Sequence, residues 1–183
     1  MSINIYLLRH GEAASSWENE LDPGLSLRGH EQARVAASRF QTEAAVALFS
    51  SPLRRTRETS QPFGDIWGQG IEIAPELSEV PSAGVDFGDR RRWLTHVLEG
   101  NWPDQSPDLQ VWRATILDFA KRQTRDAIFV THFVVINAIV GAIEKSDKLV
   151  VFRPDHCSVT KIRLQNGELS MIEKGAEAVT VVK

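Results

Sequence analysis

The stretch Ile3-Asn4-Ile5-Tyr6-Leu7-Leu8-Arg9-His10-Gly11-Glu12 decides how this chain is read. Residues 3–8 are β-branched and aliphatic, as in a short buried strand, and they run straight into a polar cluster. Two later segments repeat the pattern. Residues 45–49 are apolar and lead into Ser50-Ser51-Pro52 and Arg54-Arg55, and residues 127–131, the most strand-like of all, end at His132. The intervening sequence carries helical spacing. Ser26 suits an N-cap for a helix to about residue 41, with Ala33, Ala36, Ala37 and Phe40 on one face. Further helices are expected over 54–66, 89–98, 108–123 and 134–143, and a short strand over 71–74. Residues 13–25 and 75–88 read as loops. Residues 158–164 and 168–173 flank Asn166-Gly167, a favoured two-residue hairpin turn.

Strands alternating with helices imply an α/β fold. The expected architecture is a three-layer αβα sandwich with a mainly parallel sheet, the terminal hairpin adding an antiparallel edge. At 183 residues, the chain 1–183 reads as one domain. In open α/β sheets, ligands bind outside the carboxyl ends of the strands. That rule gathers Arg9, His10, Arg55 and His132, far apart in sequence, at one edge. Two guanidinium groups and two imidazoles offer many donors and no competing carboxylate, which suits a tetrahedral dianion. Arginine's planar fork holds two phosphate oxygens at once. A neutral imidazole is a competent nucleophile toward phosphorus.

Composition excludes several other classes. The net charge of −3 argues against a chain whose task is coating nucleic acid or an anionic membrane. Cys157 is the only cysteine, so an intrachain disulfide is impossible and a thiolate metal cluster is implausible. No apolar run approaches the roughly 20 residues of a spanning helix, and the start of the chain lacks a basic leader. The cytoplasm is the default expectation, and oligomeric state is not legible. His30, His96 and His156 lack motif support and read as structural or surface residues. Arg90-Arg91-Arg92 reads as a solvated helix face.

The chain resembles the histidine phosphatase superfamily, the phosphoglycerate mutase-like proteins, at several points in order. Leu7-Leu8-Arg9-His10-Gly11-Glu12 is similar to that family's Arg-His-Gly signature. Leu25-Ser26-Leu27-Arg28-Gly29-His30-Glu31-Gln32-Ala33 resembles its Gly-x-x-Gln-Ala helix start. Ser50-Ser51-Pro52-Leu53-Arg54-Arg55 resembles its second arginine segment, Leu77-Ser78-Glu79 the step that brings a proton donor, and Val130-Thr131-His132 the second histidine. His156-Cys157-Ser158-Val159-Thr160 is similar to a late family strand. The resemblance implies that His10 accepts the phosphoryl group as phosphohistidine while Arg9, Arg55 and His132 hold its oxygens, His132 as a cation or strong donor. Glu79 would protonate the leaving alcohol and then deprotonate water. No metal and no cofactor is implied, and the expected substrate is a small phosphorylated metabolite.

Three departures from the pattern stand out. Phe133 follows the second histidine where glycine is common, Asn137 occupies a downstream arginine position, and residues 80–88 lack the usual Gly-x-x-Glu-Gly after the acid. Glu76, three residues before Glu79, competes for the acid's role. The functions left open beside a phosphomonoesterase are mutase-type phosphoryl transfer, hydrolysis of phosphohistidine on proteins, and a phosphate-binding module without catalysis.

Overall fold

The computed structural model describes residues 2–15, 20–82 and 84–178. Part of the expected loop 13–25, namely residues 16–19, and residue 83 of the loop 75–88 lie outside the described residues. The strands are β1 (Ser2–Arg9), β2 (Ala47–Ser50), β3 (Glu72–Ile73), β4 (Ala127–Thr131), β5 (Val159–Gln165) and β6 (Glu168–Glu173). The helices are α1 (Leu27–Ser38), α2 (Arg54–Trp67), α3 (Arg90–Glu99), α4 (Pro107–Lys121) and α5 (Phe133–Ile143). Every expected element is found, with ends displaced by at most three residues. β2 starts at Ala47 because its pairing with β4 begins there, Ala47 opposite Ala127. Short 3-10 turns at Pro75–Leu77 and Phe87–Asp89 give the loop 75–88 more order than its Pro and Gly content suggests.

The six strands form one sheet in the order β3-β2-β4-β1-β5-β6. β3, β2, β4 and β1 run parallel, and β5 and β6 add antiparallel strands beyond β1. Successive side chains of a strand point to opposite faces. Ile3, Ile5 and Leu7 of β1, with Ala127 and Phe129 of β4, therefore pack against α4 and α5 through Ile116, Phe119, Val135 and Ile139. Leu8, Ile128 and Val130 face the other way, onto Ala33, Ala36 and Ala37 of α1 and Phe63 of α2. Helices thus cover both faces, the αβα sandwich expected from alternation. Among the described residues no helix is long and apolar enough to cross a membrane.

Local chemistry fixes the ends. Ser26 caps α1 by accepting from the Gly29 amide at 3.0 Å. The loop after β1 docks there too: the Glu12 amide donates to Gln32 Oε1 at 2.8 Å, and the Ser26 hydroxyl donates to Glu12 Oε1 at 2.8 Å. The backbones at Gly11 and Gly29 meet so closely that a Cβ on Gly11 would lie 2.6 Å from the Gly29 carbonyl oxygen. A Cβ on Gly29 would lie 2.1 Å from the Glu12 oxygen. Glycine in Arg-His-Gly and in Arg28-Gly29 is thus a contact requirement.

Asn137, fully buried on α5, ties that helix to the segment before β5. Its Oδ1 accepts from the amides of Val151 (2.9 Å) and Phe152 (3.2 Å), and its Nδ2 donates to the Phe133 carbonyl at 3.0 Å. The residue at the family's downstream arginine position is a staple here. Each buried donor left without an acceptor costs about 1–3 kcal/mol. Asn137→Leu should therefore lower the unfolding free energy in urea by about 2–4 kcal/mol; a loss below about 1 kcal/mol would show that the two amides find other partners.

Candidate active site

The parallel register brings three strand ends side by side. Arg9 lies opposite Thr131, and Ser50 lies opposite Val130. The His10 amide donates to the Thr131 carbonyl at 3.0 Å, and the Ser51 amide to that of Val130 at 3.1 Å. His10, Ser51 and His132 consequently follow their strands at one level, and Arg55 joins them from the first turn of α2.

Hydrogen bonds assign the ring nitrogens. His10 Nδ1 is 2.7 Å from the Gly11 carbonyl oxygen, which only accepts, so Nδ1 carries the hydrogen and Nε2 the lone pair. Arg55 Nε donates to that Nε2 at 3.2 Å. His132 takes the opposite tautomer. Arg55 Nη2 lies 3.2 Å from its Nδ1 and must donate, which leaves Nε2–H for the Ser51 hydroxyl at 2.8 Å. Burial first, then Arg55 and Arg9, push His10 well below the ordinary imidazole value of 6.5. His132 is pushed the same way by burial, then Arg55 and His10. Of the two expected forms of His132, cation or strong donor, these contacts favour the neutral donor, since a proton on Nδ1 would sit in a dry site already holding two guanidinium charges. Its ring is wholly buried, with its centroid 5.2 Å from that of His10, and it braces Arg55 and His10 from beneath.

Arg9 is anchored by Nη1 donating to the Pro154 carbonyl at 2.8 Å, and its guanidinium lies 5.4 Å from the centre of the Phe133 ring. Arg9 Nε and Arg55 Nη1 are buried without a hydrogen-bond partner among the described residues. A buried charged donor left unpaired is costly, and both belong to residues that line one cavity, an arrangement chemically suited to an anion. Gly11 is held by its amide donating to Thr59 Oγ1 at 3.0 Å.

Glu79 enters from the segment after β3. Leu77 is fully buried, and its carbonyl accepts from the Thr131 hydroxyl at 2.8 Å, which pins this segment to the end of β4. The Glu79 side chain is 13% exposed, with Oε2 at 3.8 Å from His132 Nδ1 and Oε1 accepting from the Val80 amide at 3.0 Å. Burial raises its pKa, opposed by the Val80 amide, Arg55 and Arg9. Glu76 faces elsewhere, toward Arg122 at 3.5 Å. Of the two competing carboxylates, only Glu79 reaches the cavity.

The cavity has a volume of about 570 Å³, within the range of small-molecule sites. Arg9, His10, Arg55 and Glu79 form its polar floor; Leu94 and Leu98 of α3, with Phe133 and Val134 of α5, make an apolar wall. Arg153 and His156 stand on the remaining side. Both were missed by sequence reasoning. The only available signal was position, because residues just before a strand paired antiparallel to β1 must lie beside those just after β1.

Comparison with known proteins agrees with this arrangement. The family model described as histidine phosphatase superfamily (branch 1) matches residues 5–175. A relative from Photorhabdus laumondii, "Probable phosphoglycerate mutase GpmB", is 25% identical over 190 residues, which cover 93% of this chain and 85% of that one. A glucosyl-3-phosphoglycerate phosphatase from Mycolicibacterium vanbaalenii is 31% identical over 113 residues, half of each chain. The solved structure of Bacillus stearothermophilus YhfR shares the fold at a TM-score of 0.78 and 20% identity, over 96% of this chain and 98% of its own. With its motifs in order along one sheet and its family model spanning nearly the whole sequence, the chain belongs to the histidine phosphatase superfamily, branch 1.

Proposed function

We propose that this protein is a metal-independent phosphomonoesterase that hydrolyses small phosphorylated metabolites through a phosphohistidine on His10. The observation that carries this reading is the gathering, around one cavity, of an imidazole whose lone pair lies on Nε2, where the Arg55 Nε–H holds it, and two guanidinium groups that each keep a buried N–H without a partner among the described residues. In the first step the Arg55 Nε–H hydrogen bond passes from His10 Nε2 to a phosphoryl oxygen, the released Nε2 lone pair attacks phosphorus, and the bond to the alcohol oxygen breaks. Arg9 and Arg55 bind the phosphoryl oxygens, with His132 holding Arg55 in place. Glu79, whose pKa burial raises, gives its proton to the departing alkoxide. In the second step the Glu79 carboxylate removes a proton from water. The resulting oxygen attacks phosphorus, the N–P bond breaks, and its electron pair returns to Nε2.

The names of relatives include both a mutase and a phosphatase. Hydrolysis is the better reading because Glu79 retains some exposure and the rim beside Arg153 is open, so water has access to the intermediate. The apolar wall of Leu94, Leu98 and Phe133 suits the uncharged part of the alcohol. We take the chain as one domain working in the cytoplasm, with neither nucleic acid nor membrane as a partner. Burial pushes the Cys157 thiol up to about 12, so it stays protonated and takes no part in the chemistry.

Steady-state release of inorganic phosphate from an aryl phosphate tests the nucleophile. His10→Ala should abolish turnover, and a variant keeping most of its rate would eliminate the phosphohistidine route. Excess chelator should leave the rate unchanged, whereas loss reversed by adding a divalent metal would contradict the mechanism.

Leaving-group dependence tests the acid. Glu79→Gln should slow alkyl phosphates by about 10²–10⁴ and aryl phosphates much less, because only the poor leaving group needs the proton. Since burial raises the folded carboxyl, the active protonated form is lost as pH rises through that raised value. Wild-type kcat for alkyl phosphates should therefore fall on the alkaline side, a limb absent from Glu79→Gln. An unchanged pH profile in the variant would remove Glu79 from this role.

A further inference from the structure

His156 has no motif role, yet the chain delivers it to the nucleophile. β5 runs antiparallel to β1 with Val159 opposite Leu8, so the residues before β5 lie beside those that follow β1. Two backbone hydrogen bonds lock the join: the Cys157 amide donates to the Arg9 carbonyl at 3.0 Å, and the Arg9 amide to that of Ser158 at 3.2 Å. Cys157 between them adopts a left-handed φ of 54°, a conformation uncommon for a side-chain-bearing residue. That turn swings His156 into the cavity, its ring centroid 6.0 Å from that of His10 at an interplanar angle of 49°. The charged groups that bear on it are Arg9, Asp155, Glu12 and Arg28, whereas Glu79 is accompanied by Arg55 and Arg9. His156 thus stands on a different flank of His10 from the acid.

The ring is placed but not occupied. Asp155 Oδ1 accepts from the His156 backbone amide at 2.8 Å and lies 3.9 Å from Nδ1, beyond hydrogen-bond length. Neither ring nitrogen has a hydrogen bond among the described residues, so the tautomer is free to follow a ligand. We propose that His156 is a third phosphoryl-binding group of this site, its imidazole donating a hydrogen bond to the anion seated over His10 from the Asp155 side. This rests on the phosphatase reading. Burial and Arg9 lower the His156 pKa to about 4, so at neutral pH it brings a donor without adding a third positive charge to the floor. An arriving dianion favours protonation, and the nearby Asp155 carboxylate then supports the imidazolium.

His156→Ala, His156→Asn and His156→Gln test the proposal, with kinetics on an aryl phosphate, orthophosphate as competitive inhibitor, and calorimetric titration with orthophosphate. His156→Ala should raise KM and weaken orthophosphate binding about tenfold or more, the usual effect of losing a hydrogen bond to a charged group. The amide variants, which keep an N–H donor, should recover much of the affinity. KM and orthophosphate affinity within about twofold of wild type in His156→Ala would overturn the proposal. So would a loss that neither amide variant restores, which marks a structural role. If the wild type turns over no phosphomonoester, the phosphatase reading fails by itself. Calorimetry on wild type and His156→Ala then still decides whether this imidazole holds the anion.

Discussion

Two guanidinium groups buried beside two imidazoles constrain everything else in this molecule. Arginine does not give up its proton in a protein, so Arg9 and Arg55 remain cations despite their burial. Like charges packed this closely in a poorly solvated site are costly, and the groups able to yield are the histidines. His10 and His132 lose their protons to burial and to those cations. The same packing that collects positive charge thereby also leaves the His10 imidazole uncharged, as the proposed nucleophile must be. Glu79 responds in the opposite sense: burial raises its pKa, although the Val80 amide and both arginines pull the other way.

Such a cluster is stable only if the backbone holds it at fixed separations. The sheet supplies that rigidity. β1, β4 and β2 are adjacent and parallel, so one register aligns Arg9 with Thr131 and Val130 with both Leu8 and Ser50. Direct hydrogen bonds then carry the alignment past the strand ends, from His10 to Thr131 and from Ser51 to Val130. The Gly11–Gly29 contact clamps the outgoing loop to the start of α1, and Thr131 fastens the Leu77 segment that presents Glu79. Arg9, His10 and Glu79 therefore lie within two residues of a buried backbone anchor, and Arg55 lies four residues past Ser51, on the first turn of α2. A preorganised anion receptor requires this, because donors that must first reorganise stabilise developing charge poorly.

Much of this was legible in the residues. Apolar runs ending at Arg9-His10, Ser50-Ser51 and His132 announced both the strands and the polar residues that meet at their ends. Strand length was less legible, since β2 is trimmed by pairing with β4, a long-range effect that local composition does not carry. His156 was illegible for a related reason. The hairpin of β5 and β6 has the same sequence pattern whichever edge of the sheet it joins, and only its place beside β1 brings residue 156 to His10. Nor does the presence of two motif histidines reveal that they differ. Their opposite tautomers follow from one carbonyl at Gly11 and one guanidinium N–H of Arg55, the second a contact that exists only after folding.

The departures from the family pattern alter the walls of the cavity while leaving its floor intact. Phe133 follows His132 at the first position of α5, where its ring faces Arg9 from 5.4 Å and lines the pocket. A glycine there would leave that flank of the guanidinium open to water, whereas an aromatic face offers it an attractive, weakly hydrating surface. Asn137 lies one turn further along the same helix, so its amide donates back to the Phe133 carbonyl while its oxygen grips the amides of Val151 and Phe152. The segment held in this way continues through Arg153 and Pro154, whose carbonyl anchors the other side of Arg9. Phe133 and Asn137 thus act on one guanidinium by two routes, one through its face and one through the loop that receives its Nη1. Substitutions that look like losses when compared motif by motif form a connected support for Arg9.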